Sequence, residues 1–260
     1  MSKRKKILLA LLIVFIITVI FYFTPLLRAR AGFKVIGDAI DSWSFKLARV
    51  EKQIMYSAQT FSPARRVFDV SLKVPFHKQE HSLSCEVATL KMALSFYNVA
   101  VTESELIRDL KFETTESRNE FNIWADPDKG FVGNIDGKIP NGGYGVYEQP
   151  IIDLALQYRD AKKMENAQLV DVLKEVESGH PVIVWGSIGT GKDISWLTPE
   201  GKYIKAVHGE HTRVVIGFSG TPENPKYILL MDPIYGKVTM SKDRFLSNWG
   251  LLDNKAIVIY

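Results

Sequence analysis

The chain has 260 residues, 46% of them hydrophobic and 24% charged, a balance that excludes both a disordered segment and a miniature fold held by disulfides. Its net charge of +4 is small, and much of it comes from Lys3, Arg4, Lys5, Lys6, Arg28 and Arg30, so the charge reports on membrane topology rather than on nucleic-acid binding. A single cysteine, Cys85, rules out an intramolecular disulfide and leaves the core to be held by burial.

Residues 1–6 form a basic tail, and Ile7 to Leu27 is an uncharged apolar run, broken only by Thr18, Thr24 and Pro25. A bilayer core needs about 20 apolar residues as a helix, whereas the apolar region of a signal peptide is about 7–15 long. The run is therefore expected to be a transmembrane helix. The basic residues before it outnumber those after it, which places the N-terminus in the cytoplasm and the remainder outside, a single-pass protein of the cell membrane. Ala29-Arg30-Ala31 keeps a cleavable signal open as the alternative, but the length of the run and Arg30 favour an uncleaved anchor. Within residues 28–66, Val35, Ile36, Ala39, Ile40, Trp43, Leu47, Val50, Ile54 and Met55 approximate a helical stripe, expected to be a juxtamembrane amphipathic helix or spacer. Ser62-Pro63-Ala64-Arg65-Arg66 breaks that pattern, and the main domain is expected over residues 67–260.

Phe68 to Phe76 alternates as a strand and ends near Pro75, which lacks a ladder donor. From Cys85 the residues Val87, Ala88, Leu90, Met92, Ala93, Leu94 and Phe96 predict a helix apolar almost all round, hence buried, ending at Asn98. Thr102-Glu-Ser-Glu105 is a capping box opening a short second helix. Residues 111–146 lose periodicity and gain glycines, which predicts a long surface loop. Helices are expected over Tyr147 to Tyr158 and Ala167 to Glu177. Strands follow at Pro181 to Gly186, His211 to Phe218, Tyr227 to Asp232 and Lys255 to Tyr260, the middle two joined as a hairpin. Helices first and antiparallel strands later define an α+β domain.

Cys85 stands where a polar turn gives way to the buried helix. Backbone N–H groups at a helix N-terminus favour thiolate over thiol, although a lone cysteine is more often simply buried. A thiol enzyme also needs a base, a group that orients the base and donors for the oxyanion. His211 opens a strand, Asp232 closes its hairpin neighbour, and Gln79 lies six positions before the cysteine. His77 and His81 compete as bases by proximity, yet adjacency in sequence seldom gives the orientation a sheet-borne residue can. Gly186 to Lys192 imitates a phosphate-binding loop, but Asp193 replaces the magnesium-binding hydroxyl and no convincing helix follows, so no nucleotide is expected. His208-Gly-Glu-His211 lacks a metal-binding spacing. Neither cofactor nor metal is expected.

Val74-Pro-Phe-His-Lys-Gln79 with Ser84-Cys85, then His211-Thr-Arg-Val-Val-Ile-Gly-Phe, Leu230-Met-Asp232-Pro-Ile-Tyr-Gly236 and Phe245-Leu-Ser-Asn-Trp249 resemble the peptidase C39-like family, over about residues 70–260. That family is related to the leader-peptide proteases of bacteriocin exporters and belongs to the papain-like cysteine peptidase fold. The resemblance implies N-terminal helices packed on a largely antiparallel sheet, Cys85 as nucleophile, His211 as base, Asp232 as its orienter and Gln79 as oxyanion donor. It implies a bacterial cysteine peptidase acting on a peptide or protein substrate, and kinship alone suggests cleavage after small residues. No transporter module is present, so the exporter-linked role does not carry over. One position departs from the pattern: the family usually has glycine after the cysteine, and this chain has Glu86. A carboxylate facing the sulfur raises the thiol pKa by repulsion, whereas one pointing to solvent stabilises the helix. A non-catalytic peptide-binding domain of the same fold is the alternative that Glu86 motivates.

Overall fold

The computed structural model describes residues 68–260; the basic tail, the apolar run, the juxtamembrane segment and the boundary at Val67 lie outside them. The first strand, β1 (Val70–Ser71), is shorter than the alternation from 68 to 76 predicts. Only Asp69 and Leu72 extend its bonding, to the carbonyls of Phe218 and Ile216. The helix α1 (Cys85–Phe96) begins where expected and buries nine of its residues, Glu86 among them. Asn98, in the left-handed region at φ 61°, turns the chain away after it. The capping box holds as predicted: Glu105 N–H donates to Thr102 Oγ1 at 3.1 Å and Thr102 N–H to the Glu105 carboxylate at 2.8 Å, opening α2 (Glu103–Asp109).

Residues 111–146 are more ordered than their sequence suggests. They contain β2 (Phe112–Thr114), β3 (Phe131–Gly133) and β4 (Gly143–Gly145), joined in that order as a small sheet. Three residues are too few to show a period of two, and the glycines serve close packing. A Cβ on Gly143 would lie 2.2 Å from the Asn134 carbonyl. Trp124, Trp196 and Tyr144 pack behind this sheet with ring centroids 5.3 and 4.9 Å apart.

Next come α3 (Glu148–Ala155), β5 (Ala161–Lys163), α4 (Leu169–Glu177) and β6 (Val182–Ser187). The chain continues through β7 (Trp196–Leu197), β8 (Tyr203–Ile204), β9 (Glu210–Gly220), β10 (Pro225–Asp232) and β11 (Gly236–Ser241). It ends with α5 (Lys242–Trp249) and β12 (Ala256–Ile259). The main sheet runs β11-β10-β9-β6-β12-β5 with β1 also on β9, and every pairing in it is antiparallel. After β6 the chain passes into the β7–β8 hairpin and not into a helix, so the strand, loop and helix of a phosphate site are not assembled. Among the described residues no helix is long and apolar enough to cross a membrane.

Strand β9 decides where side chains go, because successive residues face opposite sides of a sheet. Thr212, Val214 and Ile216 face α1, whose Thr89 hydroxyl lies 3.1 Å from that of Thr212. His211 and Arg213 face the other side, toward α5 and its Asn248.

Candidate active site

Cys85 occupies the first position of α1, as its sequence predicts, with Ser84 as the N-cap residue. The Ser84 hydroxyl does not cap the helix. It accepts from His81 N–H at 3.1 Å and donates to the His81 carbonyl at 3.3 Å, closing the turn that delivers the cysteine. The thiol is 4% exposed and donates to Glu86 Oε2 at 3.2 Å, with Glu210 Oε2 at 4.0 Å. Of the two orientations weighed for Glu86, the one facing the sulfur is adopted. Its other oxygen, Oε1, accepts from Val146 N–H at 2.7 Å, tying α1 to the residue that follows β4. Gly145 is required here, because a Cβ would stand 2.3 Å from Glu86 Oε1 and 2.8 Å from Glu210 Oε2.

His211 and Asp232 meet across the hairpin: Nε2 lies 3.1 Å from Asp232 Oδ2, and both side chains are buried. The structure thus brings His211 and Asp232 together, as the hairpin reading expects. Arg213, on the same face, donates to Asp232 Oδ2 at 2.8 Å and to Asn248 Oδ1 at 3.2 Å. The other Asp232 oxygen accepts from the N–H groups of Ile234 and Tyr235 at 2.8 and 3.1 Å. Asn248 also donates to the Ser187 carbonyl at 2.8 Å, locking β6 to α5 beside the histidine.

Two expected contacts are not made. No hydrogen bond joins Cys85 to His211 among the described residues, because the thiol lies with Glu210 and Thr212 on the α1 face while the imidazole lies on the other. Gln79 donates its amide to the carbonyls of His81 and Ser82 at 2.8 and 3.1 Å, so its donors are spent on the turn. The rival histidines are engaged elsewhere. His77 Nε2 is 2.6 Å from Glu103 Oε2, and His81 Nδ1 is 3.1 Å from the Asp136 carboxylate.

Electrostatics follow from burial. Burial pushes the Cys85 thiol well above its usual range, and the Glu86 and Glu210 carboxylates push it the same way. Burial raises Glu86 to about 7 despite the Val146 N–H; burial also raises Glu210 well above the usual carboxylate range, with repulsion from Glu86 second. Two buried acids this close hold protons that exposed acids would lose. On the other face, burial lowers His211 against the pull of Asp232. Asp232 is raised by its own burial but, through His211 and Arg213, ends well below the usual carboxylate range. Sequence reasoning missed Glu210, Arg213 and Asn248. The signal for Glu210 was its place next to His211 in a strand, which puts it on the opposite face, toward the cysteine.

With this geometry in view, comparison with known proteins is direct. The profile described as the Peptidase C39 like family matches residues 71–257, and the chain belongs to that family. Among solved structures, one described as a C39-like peptidase from Bacillus anthracis is similar, with a TM-score of 0.63 and 26% identity over 74% of this chain and 96% of that one. A double glycine motif protease from an AMS/PCAT transporter, solved with its leader peptide, gives 0.43 and 17% over 74% and 96%. The peptidase domain of Streptococcus ComA, a bi-functional ABC transporter, gives 0.44 and 16% over 72% and 96%. At those two scores the likeness carries no weight for this chain. Comparison with curated protein sequences gives no match.

Proposed function

We propose that the protein is a cysteine-type peptidase, anchored by residues 7–27 and exposed outside the cytoplasmic membrane, with Cys85 as nucleophile, His211 as base and Asp232 as its orienter. The observation that carries this reading is the His211–Asp232 pair, in the chain order that the family resemblance implies. Asp232 holds Nε2 and fixes the tautomer, which leaves Nδ1 as the nitrogen that takes the thiol proton in this reading. Catalysis in this reading requires a rearrangement, because thiol and imidazole rest on opposite faces of the sheet: Sγ leaves Glu86 and the His211 ring, near the start of β9, swings past the sheet edge to meet it. The thiol proton passes to His211, the thiolate attacks a peptide carbonyl, and the oxyanion meets N–H groups at the start of α1. His211 then gives its proton to the leaving amine, and water hydrolyses the thioester.

A second reading, an anchored peptide-binding domain without catalysis, is favoured by two observations: the thiol bonds to Glu86, and the Gln79 amide is spent on its own turn. Labelling with a thiol-directed electrophile in the presence of peptide substrate separates the two. The enzyme is expected to label Cys85 in competition with substrate and to lose that reactivity in His211→Ala. A thiol equally inert in both proteins supports the binding domain.

A further inference from the structure

Three potential ligand atoms converge on the α1 face of the sheet: Cys85 Sγ and one carboxylate oxygen each from Glu86 and Glu210, all within 4.8 Å of one another and all from buried residues. We propose that these three side chains form a binding site for one thiophilic divalent cation of the zinc class.

The spacing suits such an ion. Tetrahedral coordination with metal–sulfur and metal–oxygen bonds of about 2.3 and 2.0 Å sets the sulfur and oxygen about 3.5 Å apart. The sulfur here lies 3.2 Å from Glu86 Oε2 and 4.0 Å from Glu210 Oε2, so the two separations bracket that value. Glu210 supplies an independent sign of a missing partner: it is 5% exposed, its Oε2 is turned toward the cysteine, and its Oε1 has no hydrogen-bond partner among the described residues. Buried polar atoms are seldom left so. The backbone also makes room. At Gly145 the position of an absent Cβ lies 2.3 and 2.8 Å from oxygens of Glu86 and Glu210, so a side chain at that residue would fill the space between the two carboxylates.

Charge selects the ion. Neither carboxylate forms an ion pair among the described residues, and the Arg213 guanidinium, which acts on Glu210 through space, is committed to Asp232 on the other face. The thiolate selects a soft or borderline metal over calcium or magnesium. The positive end of α1 opposes any cation, so both carboxylates are needed. The cluster of His77, Glu80 and Glu103 is a different case, since Lys91 Nζ lies 3.3 Å from His77 Nδ1 and the Glu80 N–H already reaches both Glu103 oxygens, at 3.1 and 3.2 Å.

On binding, the S–H bond breaks and a metal–sulfur bond forms, and the thiol proton leaves to solvent together with each proton that Glu86 and Glu210 hold, so that a thiolate and two carboxylates face the cation. The sulfur is then unable to attack a carbonyl, so the metal is a reversible inhibitor. That consequence rests on the peptidase reading, whereas the binding itself does not.

The test uses the full-length, untagged, reduced protein in detergent, titrated with cobalt(II) near neutral pH. The expected result is a thiolate-to-cobalt charge-transfer band at one equivalent, removed by zinc and retained in His211→Ala. Cys85→Ser is expected to lose the band, and Glu86→Gln and Glu210→Gln each to bind at least about tenfold more weakly. Absence of the band in the wild type, or wild-type affinity in both glutamine variants, overturns the proposal. X-ray absorption of the zinc-loaded wild type needs no variant: one sulfur with oxygen neighbours supports the site, and a shell without sulfur overturns it. A protein that binds cobalt this way but cleaves no peptide contradicts the peptidase reading alone.

Discussion

Asp232 gathers the polar structure of the sheet face that carries His211. One of its oxygens receives His211 and Arg213 and the other receives two backbone N–H groups, with the side chain fully buried. Removing it leaves the Arg213 charge buried without a counter-ion, and breaking a buried pair from one side costs about 3–5 kcal/mol. Asp232→Ala is therefore expected to lower the urea midpoint strongly, whereas Asp232→Asn, which keeps an acceptor for Arg213, is expected to lose less. Equal midpoints for Asp232→Ala and the wild type would contradict this role. His211 and Asp232 were legible in the sequence because each ends a strand and a hairpin joins them. The surroundings of Cys85 were legible only in part: Glu86, the partner of its thiol, is adjacent in sequence, whereas Glu210 is distant and its side depends on the register of β9.

At the scale of elements, the antiparallel pairing of β6 with β9 sets Gly186 opposite His211. Asn248 of α5 leans over that glycine, and a Cβ there would come 2.2 Å from Asn248 Oδ1. Gly186→Ala is expected to displace Asn248 from Ser187 and Arg213 and to cost roughly 1–3 kcal/mol, as overpacking in a tight core does. Denaturation of that variant beside Asn248→Ala measures it, and a neutral Gly186→Ala would show that α5 moves freely. The long helices and strands were readable because their periodicity is long enough to see. The sheet of β2, β3 and β4 was hidden because its strands are short and its glycines, placed for close backbone approach, imitate a loop. Helix α5 went unread as an element, although Phe245 to Trp249 figured in the family resemblance.

For the whole domain, pH dependence follows from which groups hold protons in the fold. Glu86 and Glu210 are raised by burial, so the folded domain keeps their protons after the unfolded chain loses them. Their contribution is present at pH values below the ordinary carboxylate range and is lost as pH rises from about 4.5 through the folded values. His211, lowered by burial, acts the other way as pH falls through about 6.5, and Asp232, held low by its partners, adds a loss below about 4. Two carboxyls outweigh one imidazole. With chelator present, the denaturation midpoint is expected to peak near about pH 5 and to fall toward pH 8. The Glu86→Gln, Glu210→Gln double variant is expected to remove that fall. A wild-type midpoint that climbs steadily from pH 5 to 8 would show that the carboxyl pair is ionised in the fold.

Catalysis by Cys85 is tested most directly by incubating the full-length, reduced, metal-free protein with a peptide library and reading new N-termini by mass spectrometry. Cleavage by the wild type, abolished in Cys85→Ala and in His211→Ala while both variants keep their circular dichroism, is the expected result. No cleavage by the wild type, or cleavage that survives Cys85→Ala, would contradict it.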